Sequence, residues 1–510
     1  MRTIALVPLA VLAFALPLRA EVKLPTVFSD HMVLQRETPV PVWGTAAPGE
    51  KVTVTFRDQA KTAVADAGGK WAVSLEPLKA GGPDRLVVNT RTFEDVLVGE
   101  VWLGAGQSNM GVKVGNCVAS CPEFKDMLAA GHPQIRLNRE GGWAAAEPPG
   151  PGGFSAILFS FGHRLQGELR VPVGLIARAA GGSSSGLWIS REGVERDAGC
   201  RAAIASYAAE AYPALQKKYQ ENLARWEKAA AEADQAGRPR PGRPGPPQEP
   251  GKISPTFEVG ALFESKVRPL VGFAIRGVLW DQGETGVGVG GLDQTTTMPA
   301  LIAQWRRDWG REFPWIYVQK PSGGGCAWDT TSPITRAAER FQPLPRGVPN
   351  DGQGMGEYLG LMRIKDTWMA QTSDLGEGIH PLNKHGYGHR AAEVALVKVY
   401  GRAGPCHGPA YLRHRVDASR VVVEFDNVGQ GLAFRHGEKL QGFALAGADR
   451  KFHWAEAAID GNTVVLTAAE VSQPEFVRYG WSGNRRWANL FNKNGLPAIP
   501  FRTDLEGKKP

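Results

Sequence analysis

Ser108 is the side chain of this sequence best placed to act as a nucleophile. It follows an apolar stretch at residues 96–103, whose composition predicts a buried strand, and it comes just after Gly104 and Gly106, which permit a sharp turn. A serine in that place stands at the carboxyl end of a strand, where open α/β sheets carry their chemistry. Because serine is also a favoured helix N-cap, the segment alone leaves a purely structural role open.

His380 is the candidate base for this serine. A serine hydroxyl is inert at neutral pH unless a base takes its proton. His380 lies in a loop between an apolar stretch and a predicted helix, and Glu377 stands three residues before it, close enough to orient the imidazole and to stabilise its charged form. The sequence therefore predicts the catalytic set Ser108, His380 and Glu377, and a helix-capping arrangement of the carboxylate and the histidine is the alternative.

Ser184 is a rival nucleophile. It is the central serine of Gly-Ser-Ser-Ser-Gly at residues 182–186, which follows a predicted strand and fits the G-x-S-x-G elbow of α/β-hydrolases. The pattern is short and common in loops rich in glycine and serine. Backbone N–H groups at Gly181 and Gly182 fit another task better, because they can approach a substrate oxygen closely as part of an oxyanion hole.

Gln282 and Glu284 end a third predicted strand. The Gln282 amide has N–H groups that can donate to the same substrate oxygen, so it is a second oxyanion candidate. Glu284 has the chemistry of an acid or base, but glycosidases need a second carboxylate at a defined separation, and the sequence nominates no clear partner.

No metal or organic cofactor is expected. His385 and His389 are four residues apart on a predicted helix, but without a glutamate in the HExxH position a solvated helix face is the favoured interpretation. Of the five cysteines, Cys117 and Cys121 can close a small disulfide loop, and a zinc site there lacks a second ligand pair.

The pattern of apolar and polar residues along the chain predicts the strands and helices that must position these residues. Residues 21–94 alternate apolar and polar positions between turns, as in a β-sandwich, and β texture returns at 401–510. Residues 95–400 alternate strands with helices, as in an α/β domain, around an insertion at about 205–252 that predicts an amphipathic helix and then a Pro/Gly/Arg-rich linker. In this region the strands are predicted at 96–103, 171–177, 273–279 and 315–318, and helices at 300–309 and 388–400.

Composition and the first residues limit the possible functions. The 510-residue chain has 43% hydrophobic and 22% charged residues, typical of a soluble globular protein. Residues 1–20 resemble a cleavable signal peptide, so we expect export to the periplasm or the extracellular space, and no later apolar run is long enough to span a membrane. The net charge of +8 is spread along the chain without a basic block interleaved with aromatics, so nucleic-acid binding is not expected.

Short blocks in a fixed order carry a family resemblance. The chain resembles the sialate O-acetylesterase family of SGNH (GDSL-like) hydrolases. The blocks are Gly-Gln-Ser-Asn-Met at 106–110, Gly-Gly-Ser at 181–183, Trp-x-Gln-Gly-Glu at 280–284 and Ile-His-Pro at 379–381, with further matches at 28–35 and 489–497. The resemblance spans nearly the whole chain after residue 20.

The resemblance implies a fold, an activity and roles for single residues. The fold is α/β, a three-layer flavodoxin-like SGNH hydrolase core with flanking β-sandwich domains and no cofactor. Ser108 would be the nucleophile, His380 the base, and Gly182 an oxyanion donor beside the N–H of Ser108. The substrate would be an acetylated carbohydrate, either sialic acid or a plant cell-wall polysaccharide such as xylan or xyloglucan.

The sequence departs from the family pattern at three places. Thr285 and Gly286 stand where the family continues with Ser-Asn, so the asparagine that helps to hold the oxyanion is absent and Gln282 becomes the candidate donor. Gly378 stands where the family often has an aspartate, which leaves Glu377, or a backbone carbonyl, to orient the histidine. Two alternatives stay open: an inactive hydrolase-fold protein that binds carbohydrate, and an α/β-hydrolase-type esterase that uses Ser184.

Overall fold

The N-terminal unit consists of two small sheets. The computed structural model describes residues 21–254 and 257–505, so the predicted signal peptide lies outside the described residues. The strands are β1 (Val33–Gln35), β2 (Val40–Thr45), β3 (Lys51–Phe56), β4 (Gln59–Val64), β5 (Lys70–Leu75) and β6 (Gly81–Val88). β2 pairs with β5, and β3 pairs with β4 and β6 in antiparallel registers.

One long strand, β7 (Arg91–Gly106), joins this unit to the core. Its first half pairs with β6, and its second half enters the central sheet. Of residues 91–95 only Phe93 is buried, and from Val96 onward every residue is buried, as expected where a parallel strand is covered on both faces. β7 crosses the boundary predicted between residues 94 and 95, so the two units share a strand.

The central sheet has the flavodoxin-like strand order. Its further strands are β8 (His132–Arg139), β9 (Gly142–Ala146), β10 (Val173–Ala179), β11 (Gly277–Asp281), β12 (Trp315–Val318) and β13 (Thr367–Ala370). The order is β13-β12-β11-β7-β10-β8-β9, parallel except for the edge strand β9. If β8 and β9 are left out and the other five strands are numbered along the chain, their order in the sheet from β10 to β13 is 2-1-3-4-5. The switch point therefore lies between β7 and β11. The predicted fold class is confirmed.

Helices cover both faces of this sheet. They are α1 (Ser108–Gly111), α2 (Val114–Cys117), α3 (Glu123–Ala129), α4 (Ala156–Leu169), α5 (Arg191–Arg196), α6 (Ala198–Ser206), α7 (Tyr212–Gln235), α8 (Gln294–Asp308), α9 (Gln353–Gly360) and α10 (Lys384–Lys398). α4 and α10 pack on the face that carries Trp102, and α8 packs on the face that carries Leu103. Among the described residues, none of the helices has the length and apolarity needed to cross a bilayer.

The insertion contains one long helix and an extended segment, and the C-terminal unit consists of β-strands. α7 is mostly exposed, and the extended segment after it folds back onto it, where Trp226 donates to the carbonyl of Pro241. The strands beyond residue 401 are β14 (Ala410–Asp417), β15 (Arg420–Asp426), β16 (Leu432–Phe434), β17 (Phe443–Ala446), β18 (His453–Trp454), β19 (Glu456–Asp460), β20 (Thr463–Thr467), β21 (Phe476–Tyr479), β22 (Leu490–Asn492) and β23 (Phe501–Arg502). Their order is β14-β15-β20-β19 in one sheet and β18-β17-β21-β23 in another, and β16 pairs with β22.

Candidate active site

Ser108 and His380 meet at the carboxyl edge of the central sheet. Ser108 is the first residue of α1, two residues after the end of β7, and His380 lies in the loop that leads into α10. The imidazole Nε2 is 2.9 Å from the serine Oγ. Ser108 is half-buried and His380 is exposed. A base at hydrogen-bond distance from a serine hydroxyl is the arrangement that activates the serine as a nucleophile.

The turn that presents Ser108 requires glycine at position 106. Gly106 has a φ of 140°, and a Cβ on it would stand 2.1 Å from the carbonyl oxygen of Asp281. The next N–H, of Gln107, donates to that same carbonyl at 2.9 Å. The nucleophile turn is therefore fixed against the end of β11, at the switch point of the sheet.

Two backbone N–H groups beside Ser108 have no acceptor in the described backbone. A Cβ on Gly181 would lie 3.9 Å from the Cβ of Ser108, so the turn at 181–182 lies directly against the serine. Gly182 has a φ of 70° and open space around its Cβ position, and its N–H donates to no described backbone atom. The N–H of Ser108 is in the first turn of a helix, where no intrahelical acceptor exists. Both groups are available to a substrate oxygen.

The structure does not present the Gln282 amide to Ser108. Gln282 is only 1% exposed, and its Nε2 donates to the carbonyls of Gly286, at 2.9 Å, and Ser183, at 3.4 Å. Its Oε1 accepts from the hydroxyl of Ser185. Because both sides of the amide are engaged, Gln282 ties the loop after β11 to the loop after β10, and the predicted donation to a substrate oxygen would require breaking these bonds.

The rival Ser184 is covered. Its side chain is buried, and a Cβ on Gly288 would stand 2.6 Å from its Oγ, so the loop after β11 closes over it. A short 3-10 turn, Ser185–Leu187, follows it instead of the long helix of a nucleophile elbow. Within the described chain the Ser184 hydroxyl has no hydrogen bond to a histidine, so its setting differs from that of Ser108.

Glu377 and Asp374 both pair with arginines. The half-exposed carboxylate of Glu377 accepts from Arg486 of the C-terminal unit at 2.5 Å. Asp374 is fully buried and pairs with Arg390 of α10 at 2.9 Å. In the described residues neither carboxylate is hydrogen-bonded to His380. The structure thus brings Ser108 and His380 together but does not bring Glu377 to the imidazole.

This geometry predicts a modest effect of Glu377→Gln. Neutralising a carboxylate that orients a catalytic histidine costs about 10⁴-fold in kcat. Because Glu377 faces Arg486, we expect Glu377→Gln to lower kcat by less than about tenfold, and Arg486→Gln to have an effect of the same size. Steady-state rates of acetate release measure both. A loss near 10⁴-fold for Glu377→Gln alone would instead place this carboxylate on His380, as the sequence pattern predicted.

Asn109, the residue after the nucleophile, is buried and its side chain makes three hydrogen bonds. Its Nδ2 donates to Glu284 Oε1 at 2.6 Å and to the carbonyl of Ile379 at 2.9 Å. Its Oδ1 accepts from Lys384 Nζ at 2.5 Å. Ile379 directly precedes His380, so one amide connects the two segments that carry the reacting side chains. Asn109 is not among the functional residues predicted from the sequence, although it lies inside the same Gly-Gln-Ser-Asn-Met block as Ser108.

Two lysines and two carboxylates form a charged cluster beneath this asparagine. Lys320 pairs with Glu284 and lies 2.6 Å from Asp281 Oδ1. Burial raises the pKa of Asp281. Burial alone would lower the pKa of Lys320, but the charges of Asp281 and Glu284 outweigh it and raise that pKa. Lys384 lacks such a close carboxylate partner in the described chain, and burial lowers its pKa to about 8.

The histidine pair and the cysteines do not have the predicted settings. His385 is half-buried, with its Nδ1 3.2 Å from the Ser160 hydroxyl, so this helix face packs on α4 and is not solvated. Cys117 and Cys121 are both free, buried thiols, which corrects the possible disulfide loop. In the part of the chain that the structure describes, His, Cys, Asp and Glu side chains form no group of three or more able to hold a metal ion.

Known proteins resemble this chain over nearly its whole length. The sialate O-acetylesterases of Homo sapiens and Pongo abelii are 25% and 26% identical to it over 539 residues, and each match covers 94% of this chain and 92% of the relative. The crystal structure of a carbohydrate acetylesterase from Xanthomonas citri superposes with a TM-score of 0.71 at 29% identity, covering 95% of this chain and 100% of that one. No protein-family model matches the chain.

Proposed function

We propose that this chain, whose predicted kinship with the sialate O-acetylesterases is confirmed by these similarities, is a carbohydrate O-acetylesterase. The observation that carries the proposal is the 2.9 Å contact between His380 Nε2 and Ser108 Oγ at the switch point of the sheet. Open α/β sheets bind their ligands in the crevice at that point. The N–H groups of Ser108 and Gly182, which have no acceptor in the described backbone, can form an oxyanion hole. A nucleophile, a base and an oxyanion hole are the minimum set for acyl transfer.

In the first half of the proposed reaction, Ser108 takes the acetyl group. His380 Nε2 removes the hydroxyl proton while Oγ attacks the acetyl carbonyl carbon, which gives a tetrahedral oxyanion. The bond from that carbon to the sugar oxygen then breaks. The imidazolium gives its proton to the departing sugar oxygen, which leaves as a hydroxyl.

In the second half, water releases acetate. His380 takes a proton from water, the resulting hydroxide attacks the acetyl carbon, and Oγ leaves as the histidine returns its proton. The N–H groups of Ser108 and Gly182 donate to the oxyanion in both halves. Losing one such donor typically raises the barrier by about 3–4 kcal/mol.

The surroundings of His380 suit a bulky substrate. The two flanking apolar side chains, Ile379 and Leu382, are 70% and 69% exposed, so the imidazole lies on an open rim and not at the bottom of a closed pocket. Exposed apolar side chains beside a reactive group offer contact area for a sugar ring. We therefore propose an acetylated sugar as substrate, either sialic acid or a cell-wall polysaccharide such as xylan or xyloglucan.

The proposal predicts acetate release that survives metal chelation. Because Ser108 supplies the nucleophile, the protein should hydrolyse a chromogenic acetyl ester at an unchanged rate after exhaustive treatment with EDTA. Acetate release from acetylated sialic acid, xylan and xyloglucan, measured in the same buffer, then ranks the sugar substrates. Loss of activity that added zinc restores would contradict the serine route. Binding to these sugars without any acetate release would favour the carbohydrate-binding alternative.

We also propose that the protein is exported to the periplasm or the extracellular space. The proposal rests on the signal-peptide pattern of residues 1–20, with a basic start, an apolar run and a small-residue site. Determination of the amino terminus of the secreted protein tests it.

A further inference from the structure

We propose that Asn109 is a positioning residue that ties the histidine loop to the nucleophile turn, and that the charge of Lys384 makes turnover depend on pH. The inference rests on the proposed esterase function, and it concerns residues outside the Ser108–His380 pair and its oxyanion donors. Its basis is the geometry of one amide and the charges packed around it.

The Asn109 amide has one orientation that satisfies its neighbours. Its N–H groups face two acceptors, Glu284 Oε1 and the carbonyl of Ile379, while its carbonyl faces the Lys384 ammonium. A flipped amide would place its carbonyl oxygen against both acceptors and its N–H groups against the cation. Asn109 is 1% exposed, so a polar group of this amide that loses its partner is left unsatisfied at a free-energy cost.

The hydrogen bond from Asn109 to the Ile379 carbonyl affects both reacting side chains, because each of its ends lies one residue from one of them. Asn109 follows Ser108 in α1, and the Ile379 carbonyl belongs to the peptide that leads into His380. The imidazole itself is exposed, and neither of the nearby carboxylates Glu377 and Asp374 bonds to it in the described structure. The backbone of its loop therefore has to fix its position. A misplacement of about 1 Å between reacting groups can cost about 10²-fold in rate.

Lys384 adds a charge that can be removed near neutral pH. The groups that face it are Asn109 of α1, Asp281 and Glu284 at the end of β11, Lys320 after β12, Cys117 of α2, and the ring of Tyr387 on its own helix, 5.3 Å from Nζ. Burial lowers the Lys384 pKa to about 8. When this proton leaves, the cluster beneath the nucleophile turn becomes more negative by one unit.

An added negative charge opposes the oxyanion of the transition state. The amine can still donate to Asn109 Oδ1, so the tie weakens but stays in place, while the electrostatic support is lost. At an effective dielectric constant near 20, a unit charge within about 10 Å of a developing charge changes a rate by about tenfold or more. We therefore expect kcat to fall by at least about tenfold as pH rises through the region of 8.

The experiment measures kcat and KM for acetate release between pH 6.5 and 9.5. Asn109→Asp, which cannot donate to the Ile379 carbonyl and faces Glu284 with a like charge, should lose about 10²-fold in kcat with KM changed less than threefold. The kcat of Lys384→Met should not fall as the pH rises. At every pH in the range it should stay near the low value that the wild type reaches at high pH. Lys398→Met, an exposed lysine on the same helix, is the matched control and should retain the wild-type profile.

A second variant covers the case in which Lys384→Met does not fold. Lys384→Arg keeps the positive charge but does not titrate in this range, so it should retain the low-pH kcat up to pH 9.5. A wild-type kcat that stays constant from pH 7 to 9.5, or an alkaline limb that persists in the Lys384 variants, would overturn the inference while leaving the esterase function intact. A wild-type protein that releases no acetate at any pH would overturn the proposed function itself.

Discussion

Ser108→Ala is expected to abolish acetate release and covalent labelling of the protein by an organophosphonate. Without Oγ, His380 has no hydroxyl to deprotonate at the sheet edge, and only binding and the oxyanion donors remain. In another serine hydrolase the loss of the nucleophile costs about 10⁶-fold in kcat, and a loss of that order is expected here. The measurements are acetate release and mass mapping of the labelled peptide in the wild type.

Ser184→Ala is the matched control for this experiment. Ser184 belongs to the rival G-x-S-x-G pattern and has the same side chain, but it is buried under the loop that contains Gly288. Its replacement removes one hydroxyl from a packed loop, so kcat should stay within about tenfold of the wild type and labelling should persist. Label found on Ser184, or full activity of Ser108→Ala, would exclude the proposed mechanism.

The sequence predicts a strand correctly where its run of apolar residues is buried within the sheet. The strand predicted at 315–318 is β12 as observed, because four consecutive apolar residues there are buried on both faces of a parallel sheet. The strand predicted at 273–279 begins only at Gly277. Phe273 is buried against Phe28 of the N-terminal unit, with ring centroids 5.4 Å apart, so its apolar character reflects packing between units and not sheet pairing.

Helix α10 shows a second limit of local pattern. The helix is predicted from the sequence to begin at residue 388, and glycine at positions 386 and 388 is unfavourable in a helix interior. It begins at Lys384, where the Asn383 side chain accepts from the N–H of Gly386 as an N-cap. A Cβ on Gly388 would stand 2.4 Å from the carbonyl of Ile157, so glycine there allows the close approach of α10 to α4. Tertiary packing outweighs the helix propensity.

In the site, the sequence indicated the residues that react but not those that hold them. Ser108 and His380 stand out because their chemistry is specific and their neighbours form recognisable blocks. Lys320 and Lys384 give no such signal, because a lysine in a sequence is most often a surface residue. Their burial and their partners depend on how β11, β12 and α10 come together. Only the three-dimensional structure shows that Asn109 is the residue that connects these elements.

Lys320→Met is expected to destabilise the protein strongly. Lys320 is 5% exposed and is the cation shared by Asp281 and Glu284, whose side chains are 0% and 20% exposed. Removing one partner of a buried ion pair leaves an uncompensated charge and typically costs about 3–5 kcal/mol of unfolding free energy. Urea denaturation at pH 7 measures the loss. Lys439→Met, which breaks the exposed pair with Glu456, is the control and should change stability by less than about 1 kcal/mol.

The loss caused by Lys320→Met should become smaller in acid. Burial already raises the pKa of Asp281 in the wild type, and the charge of Lys320 limits that rise. Because the variant lacks this charge, its Asp281 has a pKa that is higher still. Between the ordinary and the raised pKa the folded state binds more protons than the unfolded state, so the unfolding free energy of the variant rises, relative to the wild type, as the pH falls. Denaturation curves at pH 7 and pH 5 for both proteins measure this difference. If the variant loses less than about 1 kcal/mol at pH 7, or if its loss grows in acid, Lys320 is not the charge that holds the two carboxylates beneath the nucleophile turn.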